Sequence, residues 1–392
     1  MSAFADFLGP FDETAFLSQY FGKRPVHIRR GDAARPDILN WARFNEALSL
    51  SPYWTEETLK LFYQNREALR DNYCDTADLR PGRAAPANPA KVKALIGLGA
   101  SVVANHLHRV CAPVREAAHL LERQFAARVF ANVYCSFSGV QAFQTHFDLH
   151  DVFAVQAEGE KTWRIYEARA DAPVQALPPG EQVEKWLISS RGRLLFEAHM
   201  KPGDVLYLPR GQYHDALTAD GASLHVTFGV APATGLALFK LLEKALNADR
   251  NFRAYMPDAR DGAAMAAHLE GLAERVKAVM VSPAFLADVA LHQRGLAGAD
   301  QGFDLPAQHR PQWFQMMKPA RVVRRDAGHV LTCGAQEFAL GGAFAAAEWF
   351  TQLRHFSVED ALARHPGTER GELMAVLGEL ARAGVIAESG IQ

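Results

Sequence analysis

The spacing of apolar positions along this chain changes twice. Before about residue 130 it is mostly helical, from about 130 to 232 it alternates with period two, and after 235 the helical period returns. In the first stretch, "DETAFLSQYFG" (12–22) puts Ala15, Phe16, Tyr20 and Phe21 on one face, and Gly22 can end that helix. "PVHIRR" reads as a short strand from Pro25. Residues 40–75 read as polar, broken helical stretches around Pro52 and Pro81, and "RAAPANPAK" (83–91) as a loop. From Lys91 to Phe130 the pattern predicts helix, with Leu120, Leu121 and Phe125 on one stripe.

In the middle stretch, "ANVYCSF", "DVFAVQ", "KTWRIY", "RLLFEAHM", "DVLYLP" and "SLHVTFGV" are short β-rich runs. "AEGE", "KPGD" and "RGQ" supply turns between them. So many closely spaced strands predict a barrel or a sandwich. Beyond 235, Leu238, Leu241, Leu242, Ala245 and Leu246 follow a helical stripe; "AAMAAHLEGLAERVKAVM" and "PAFLADVALHQRGL" predict two more amphipathic helices. Pro306, Pro311 and Pro319 mark a linker. The last part predicts helix "SVEDALARH" with Ser357 as N-cap and Asp360 behind it. A second helix there carries Leu373, Val376, Leu377, Leu380 and Ala381, Gly384 stands at its C-cap, and "VIAES" follows as a strand. Helix, turn, helix and strand together read as a winged-helix-like module. The expected division is 1–235, 236–318 and 319–392.

Composition narrows the class. A chain of 392 residues, 49% hydrophobic, can bury a large core in two or three domains. A formal net charge of −2 gives no global basic balance for nucleic acid. No N-terminal signal and no run of eighteen apolar residues is present, so the expectation is a cytoplasmic protein without a membrane span. Cys74, Cys111, Cys135 and Cys333 are scattered and unpaired in sequence, which argues against a cysteine zinc site.

The candidate chemistry lies in "QTHFDLHDVFAVQ" (144–156). Side chains two apart on a strand share a face, roughly 6.6 Å apart, so His146 and Asp148 can converge on one ion at a strand end. His214, which follows "KPGDVLYLPRGQY" at the start of a later strand, can complete the set. Two histidines and one carboxylate occupy one face of Fe(II) and leave positions open for a bidentate 2-oxo acid and O2. Taken alone, His-x-Asp in a chain with fifteen histidines reads equally well as a surface turn. His150 lies about 13 Å along a straight strand from His146, too far to share the ion, and reads as pocket lining or a satisfied polar residue. Asp151 reads as solvent-facing or hydrogen-bonded, and His225 as a buried histidine bonded to backbone. Alternation puts Lys161, Trp163 and Ile165 on one face; inside a barrel, Lys161 would need an anion. Asn132 and Tyr134 share a face and could donate to that anion. Arg164 and Tyr166 point the other way, with no role assigned. Phe143, Phe147, Phe153 and Trp163 suit either a pocket wall or an aromatic core.

"NVYCSFSGVQAFQTHFDLHDVFAVQAEGEKTWRIY" followed by "GDVLYLPRGQYHDA" resembles the JmjC-type ribosomal oxygenases, a cupin-fold branch of the Fe(II)/2-oxoglutarate dioxygenases. The resemblance implies a mixed α+β fold: a double-stranded β-helix barrel, a helical dimerisation segment and a C-terminal winged helix. It places the metal triad on His146, Asp148 and His214, the basic residue for the distal carboxylate of 2-oxoglutarate on Lys161, and the family's Asn-x-Tyr on Asn132 and Tyr134. Two departures touch the substrate pocket: Gly229 stands where a serine is common, and His150 where an aromatic or aliphatic residue is usual. The implied activity is hydroxylation of an arginine or histidine side chain of a ribosomal protein, with Fe(II) as cofactor and 2-oxoglutarate and O2 as co-substrates.

Two other readings stay open. The same chemistry could act on another peptide, a natural product or a tRNA base, or the chain could be a cupin-like scaffold with a vestigial site. Nothing in the sequence looks like a methyl-lysine cage. In the last helix Glu369, Glu372 and Glu379 stand against Arg370 and Arg382, a face that repels phosphate and argues against DNA binding. Arg321, Arg324 and Arg325 form a small basic patch that could touch ribosomal RNA or be solvated.

Overall fold

The period-two stretch builds two facing sheets in the computed structural model, which describes residues 3–31, 33, 37–50, 53–63, 66–75, 83–137, 144–218, 221–296, 312–326 and 328–389. The chain divides into two units, residues 1–232 and 233–392. In the first, the helices are α1 (Phe4–Leu8), α2 (Glu13–Gln19), α3 (Trp41–Leu48), α4 (Pro89–Gly97), α5 (Ala112–Phe125) and α6 (Glu181–Ser190). The strands are β1 (Val26–Ile28), β2 (Leu59–Tyr63), β3 (Arg66–Glu67), β4 (Ser101–Ala104), β5 (Ala127–Ser136), β6 (Asp151–Glu158), β7 (Lys161–Arg169), β8 (Leu194–Met200), β9 (Val205–Leu208), β10 (Gln212–Thr218) and β11 (Ser223–Pro232).

An eight-stranded sheet runs in the order β1-β9-β6-β11-β5-β4-β2-β3, and a three-stranded sheet in the order β10-β7-β8. Every pairing is antiparallel. The longest ladder sets β11 against β5, from Ser223 opposite Ser136 to Pro232 opposite Ala127, with β6 on the other side of β11. Alternation then divides the side chains. Val152, Ala154, Leu206 and Leu208 of the large sheet face Trp163, Ile165, Ala198 and Met200 of the small one. Phe153, Val155, Tyr207, Val226 and Phe228 face the opposite way, into a core with Phe4, Phe7 and Phe16. There Phe7 stands edge-on to Phe153 at 5.7 Å and Phe16 to Tyr207 at 4.9 Å. Each aromatic side chain buried this way contributes about 1.5–3 kcal/mol. Because helices cover one face and the second sheet the other, β6 is buried through six consecutive residues.

Local signals explain the ends. Asp12 caps α2 by accepting from the Ala15 amide at 2.7 Å. Ala126, with φ of 45°, ends α5 in a left-handed turn so that β5 starts at the next residue. The helix expected over Lys91–Phe130 is therefore interrupted: β4 and a short 3₁₀ turn lie inside it, and β5 begins before its end. Sheet pairing of Ser101–Ala104 with β5 and β2 outweighs the local helical spacing. Helix α6 and strands β2 and β3 also depart from the sequence expectation. Phe153 and Phe147 are not pocket walls: Phe153 sits in the helix-covered core, and Phe147 packs on Tyr213 at 5.2 Å.

The second unit contains α7 (Ala237–Leu246), α8 (Gly262–Met280) and α9 (Pro283–Leu296), matching the helices expected there. It continues with β12 (Trp313–Met316), β13 (Arg321–Arg325), β14 (Gly328–Cys333), β15 (Gln336–Ala339), α10 (Phe344–Phe350), β16 (His355–Ser357), α11 (Val358–Arg364), α12 (Arg370–Arg382) and β17 (Ile386–Glu388). Two three-stranded sheets result, β16-β12-β17 and β13-β14-β15. Ser357 caps α11 by accepting from the Asp360 amide at 3.0 Å. Leu373, Val376, Leu377 and Leu380 are the buried face of α12, while Ala381 is exposed. Gly384 takes φ of 66° after α12, as its C-cap position demands. The linker prolines Pro306 and Pro311 lie outside the described residues.

Candidate metal centre and cavity

Three side chains from two segments far apart in sequence converge between the two sheets. His146 and Asp148 come from the segment leading into β6, not from a regular strand; His214 comes from β10. One nitrogen of each imidazole and one Asp148 oxygen lie within 4.8 Å of one another. The convergence is fixed by backbone. His146 and His214 exchange two hydrogen bonds, His146 N to His214 O at 3.0 Å and His214 N to His146 O at 2.9 Å. The Gly211 amide donates to Asp148 O at 2.9 Å. Gly211 has φ of 85°, and a Cβ there would lie 2.4 Å from Ala170 O, so this turn requires glycine.

Hydrogen bonding also sets the donor atoms. His146 Nδ1 lies 2.8 Å from Gln144 O, and His214 Nδ1 lies 2.9 Å from Gln212 O. A carbonyl can only accept, so each Nδ1 carries a proton and Nε2 is the ring atom turned towards the cluster. His214 Nε2 is 3.7 Å from Asp148 Oδ2. Burial, reinforced by His146, pushes the His214 imidazole down to about 4, so it is neutral at physiological pH. Burial works against the Asp148 carboxylate, but His146, His214 and His150 hold it below its ordinary value. Two imidazole nitrogens and a carboxylate oxygen, tied from behind, fit a divalent first-row cation.

The cavity beside this cluster is lined by Tyr134, Val152, Lys161, Trp163, Ala216, His225 and Thr227 along with the three. Lys161 is 5% exposed, and among the described residues it forms no ion pair; its Nζ donates to Ser136 Oγ at 3.2 Å. Burial lowers its ammonium to about 8. A buried cation without an anion is the arrangement that an acidic ligand completes. Burial raises the Tyr134 phenol, which stays a neutral donor.

Asn132 is one step removed from the cavity. Its Oδ1 accepts from the His106 amide at 3.0 Å and its side chain hydrogen-bonds Tyr134, so it orients the tyrosine. His150 likewise lies beside the cavity lining: its ring stands edge-on to Phe130 at 4.7 Å, and its Nδ1 meets Asp151 O at 3.1 Å. Gly229 makes that contact possible. A Cβ at 229 would come within 2.4 Å of Phe130 and 2.9 Å of His150, so the two rings fill the space a side chain would take. Asp151 is buried and accepts from the Tyr207 hydroxyl at 2.6 Å. Phe143 lies outside the described residues.

His225 was underrated by its sequence. Its ring stacks on Tyr134 at 4.9 Å and meets Trp163 at 5.4 Å. Its Nδ1, with Trp163 Nε1 and Thr227 Oγ1, is buried without a hydrogen-bond partner among the described residues. Three such atoms around one cavity are vacant contacts for a polar ligand. The available signal was alternation: His225 and Thr227 share the face of Tyr134 across the β11–β5 ladder.

Residues 109–238 match the model of the JmjC domain. A protein of Dictyostelium discoideum named bifunctional lysine-specific demethylase and histidyl-hydroxylase NO66 is 29% identical over 235 residues, 59% of this chain and 43% of its own length. Ribosomal oxygenase 1 of Danio rerio is 28% identical over 257 residues, 63% of this chain and 45% of its own. The chain thus spans less than half the length of either curated relative. Among solved structures, YcfD, a ribosomal oxygenase from Escherichia coli in complex with cobalt and 2-oxoglutarate, superposes with a TM-score of 0.53 at 15% identity. That match covers 97% of this chain and 99% of that one and shows a shared fold. The chain carries a JmjC domain at residues 109–238 and is a relative of proteins named ribosomal oxygenases.

Proposed function

We propose that the protein is an Fe(II)/2-oxoglutarate-dependent dioxygenase that hydroxylates an arginine or histidine side chain of a ribosomal protein. The observation that carries this is the pairing, in one cavity, of the His146, Asp148 and His214 cluster with the ammonium of Lys161, which has no anionic partner among the described residues. His146, Asp148 and His214 would hold the metal. Fe(II), 2-oxoglutarate and O2, when bound, supply the oxidation of an unactivated C–H, with succinate and CO2 released. The chain's own part is binding, orientation and exclusion of water. Lys161 neutralises the distal carboxylate, and the Tyr134 phenol, braced by Asn132, donates beside it. Trp163 and Val152 close the wall of the cavity. Phe130 and His150, meeting across Gly229, would shape the approach of the substrate side chain in place of a serine hydroxyl.

The names of the relatives support a ribosomal-protein target, and the E. coli complex supports the metal and oxo-acid pairing. The test is direct. Fe(II) and 2-oxoglutarate bind anaerobically to the wild type and fail to bind to His146→Ala and Asp148→Ala. Ribosomal proteins from cells carrying the gene gain one oxygen in intact mass over those lacking it; no gain on any of them would redirect the activity to another peptide, a natural product or tRNA. A scaffold would bind neither ligand.

The second unit supports two further parts of this reading. No residue of the nineteen-residue α8 is buried, and Leu236, Phe239, Leu269, Val281, Leu286 and Leu291 are exposed around it on α7, α8 and α9 or beside them. We assign this segment (236–318) to dimerisation and residues 319–392 to a winged-helix-like module used for protein contact, in a cytoplasmic enzyme. Sedimentation as a monomer at micromolar concentration would refute the dimer. No described helix is long and apolar enough to cross a membrane.

A further inference from the structure

Behind the two histidines lies a second polar cluster. Thr145 precedes His146 and Asp215 follows His214, and both side chains point away from the cavity. The Thr145 hydroxyl donates to Asp215 Oδ2 at 2.9 Å, and the Tyr166 hydroxyl donates to the same oxygen at 2.7 Å. Arg164 Nε lies 3.0 Å from Asp215 Oδ1. Arg191, the C-cap residue of α6, donates to Thr145 Oγ1 at 2.7 Å and reaches within 3.6 Å of Asp215 Oδ2. Its guanidinium also lies 4.2 Å over the Tyr166 ring. Asp215 itself is only 2% exposed.

A buried carboxylate is costly unless it is paired and hydrogen-bonded. Here three parts of the chain converge to do so: the ligand-bearing segment, β7 and the end of α6. A fully apolar surface at this spot would hold β10 against β7 at lower cost, so the cluster calls for a purpose beyond packing. The segment 144–150 carries two of the three metal-site side chains, yet no regular ladder holds it. Its backbone meets the β10 arm at the His146–His214 bridge and at the Gly211–Asp148 bond. The Thr145–Asp215 bond adds a side-chain tie between the same segment and β10.

We propose that Asp215 is a positioning residue for the metal centre: from the opposite face of β10 it fixes the spacing of His146 and His214, and so sets metal affinity. Thr145, Tyr166, Arg164 and Arg191 hold Asp215 in place. This rests on the reading of His146, Asp148 and His214 as metal ligands.

The test is titration of the full-length, metal-stripped protein with Co(II), read by calorimetry and by the visible spectrum of the bound ion. His146→Ala and thermal melts of the metal-free proteins serve as controls. Asp215→Asn keeps the shape and removes the charge; Co(II) affinity falls about ten- to a hundredfold, the range for outer partners of metal ligands, and the visible bands shift. Thr145→Val, nearly isosteric, weakens binding in the same direction and carries the test should Asp215→Asn fail to fold. If both variants melt lower but bind Co(II) with wild-type affinity and spectrum, Asp215 is structural and the proposal is overturned. If the wild type binds no better than His146→Ala, the metal reading itself is wrong. Wild-type binding lost in His146→Ala but kept in Asp215→Asn and Thr145→Val leaves that reading standing and removes only the positioning role.

Discussion

The inner and outer faces of the large sheet are built from alternate residues of the same strands, and both are buried. On the outer face Phe153, Phe228 and Tyr207 pack on rings from α1 and α2, and the one polar tip is satisfied: Tyr207 donates to Asp151 and accepts from the Gly22 amide at 2.7 Å. On the inner face His225 Nδ1 and Thr227 Oγ1, and across the cavity Trp163 Nε1 of the small sheet, have no partner among the described residues, and Lys161 of β7 has no anion among them. Burial alone does not separate core from site. The gathering of three such atoms around one cavity, beside a buried cation, does.

Substitutions on the two faces should therefore move different observables. Phe153→Ala should cost about 3–5 kcal/mol of stability through the cavity it leaves, measured by denaturant unfolding, while the folded protein keeps its affinity for 2-oxoglutarate. Loss of that affinity with stability intact would erase the distinction. Lys161→Met should do the reverse. Removing one partner of a buried charge pair costs about 2–5 kcal/mol, so 2-oxoglutarate affinity should fall roughly a hundredfold or more by calorimetry, without loss of thermal stability at pH 7.

The same lysine predicts a pH dependence. Its ammonium titrates near 8 in the folded, ligand-free protein and in the ordinary lysine range when unfolded. Between those values the unfolded chain binds more protons, so stability should rise as pH increases from about 8 towards 10. Lys161→Met should lack that rise in thermal melts followed against pH. Smallest is Thr227→Val: deleting a buried hydroxyl without a partner should stabilise the ligand-free protein by about 1 kcal/mol and weaken ligand binding a few-fold. A lower melting temperature would mean that the hydroxyl is already satisfied.

Much of this was legible along the chain. Period-two spacing marked β6, β7, β8, β9 and β11, and the pairing of His146, Asp148 and His214 followed from motif and spacing. The buried face shared by Lys161, Trp163 and Ile165 followed from alternation. Less legible were β4, hidden in a helical pattern because its pairing partners lie elsewhere in sequence, and α6, whose exposed Trp186 and Ile188 blur its periodicity. Asn132 was expected at the ligand but braces Tyr134, a distinction that depends on one hydrogen bond. Arg164 and Tyr166 were left without a role because their partner, Asp215, is some fifty residues away in sequence.

By itself the sequence determined which residue types could bind a metal, which alternate positions face one another on a strand, and where turns must fall, because these are local consequences of chirality and the two-residue pleat. Only the tertiary structure decided that Gly229 is the gap into which Phe130 and His150 close, that His225 is unsatisfied, and that Asp215 stands behind both histidines. Those facts depend on which segments meet across the barrel, and such meetings are set by the packing of the whole core.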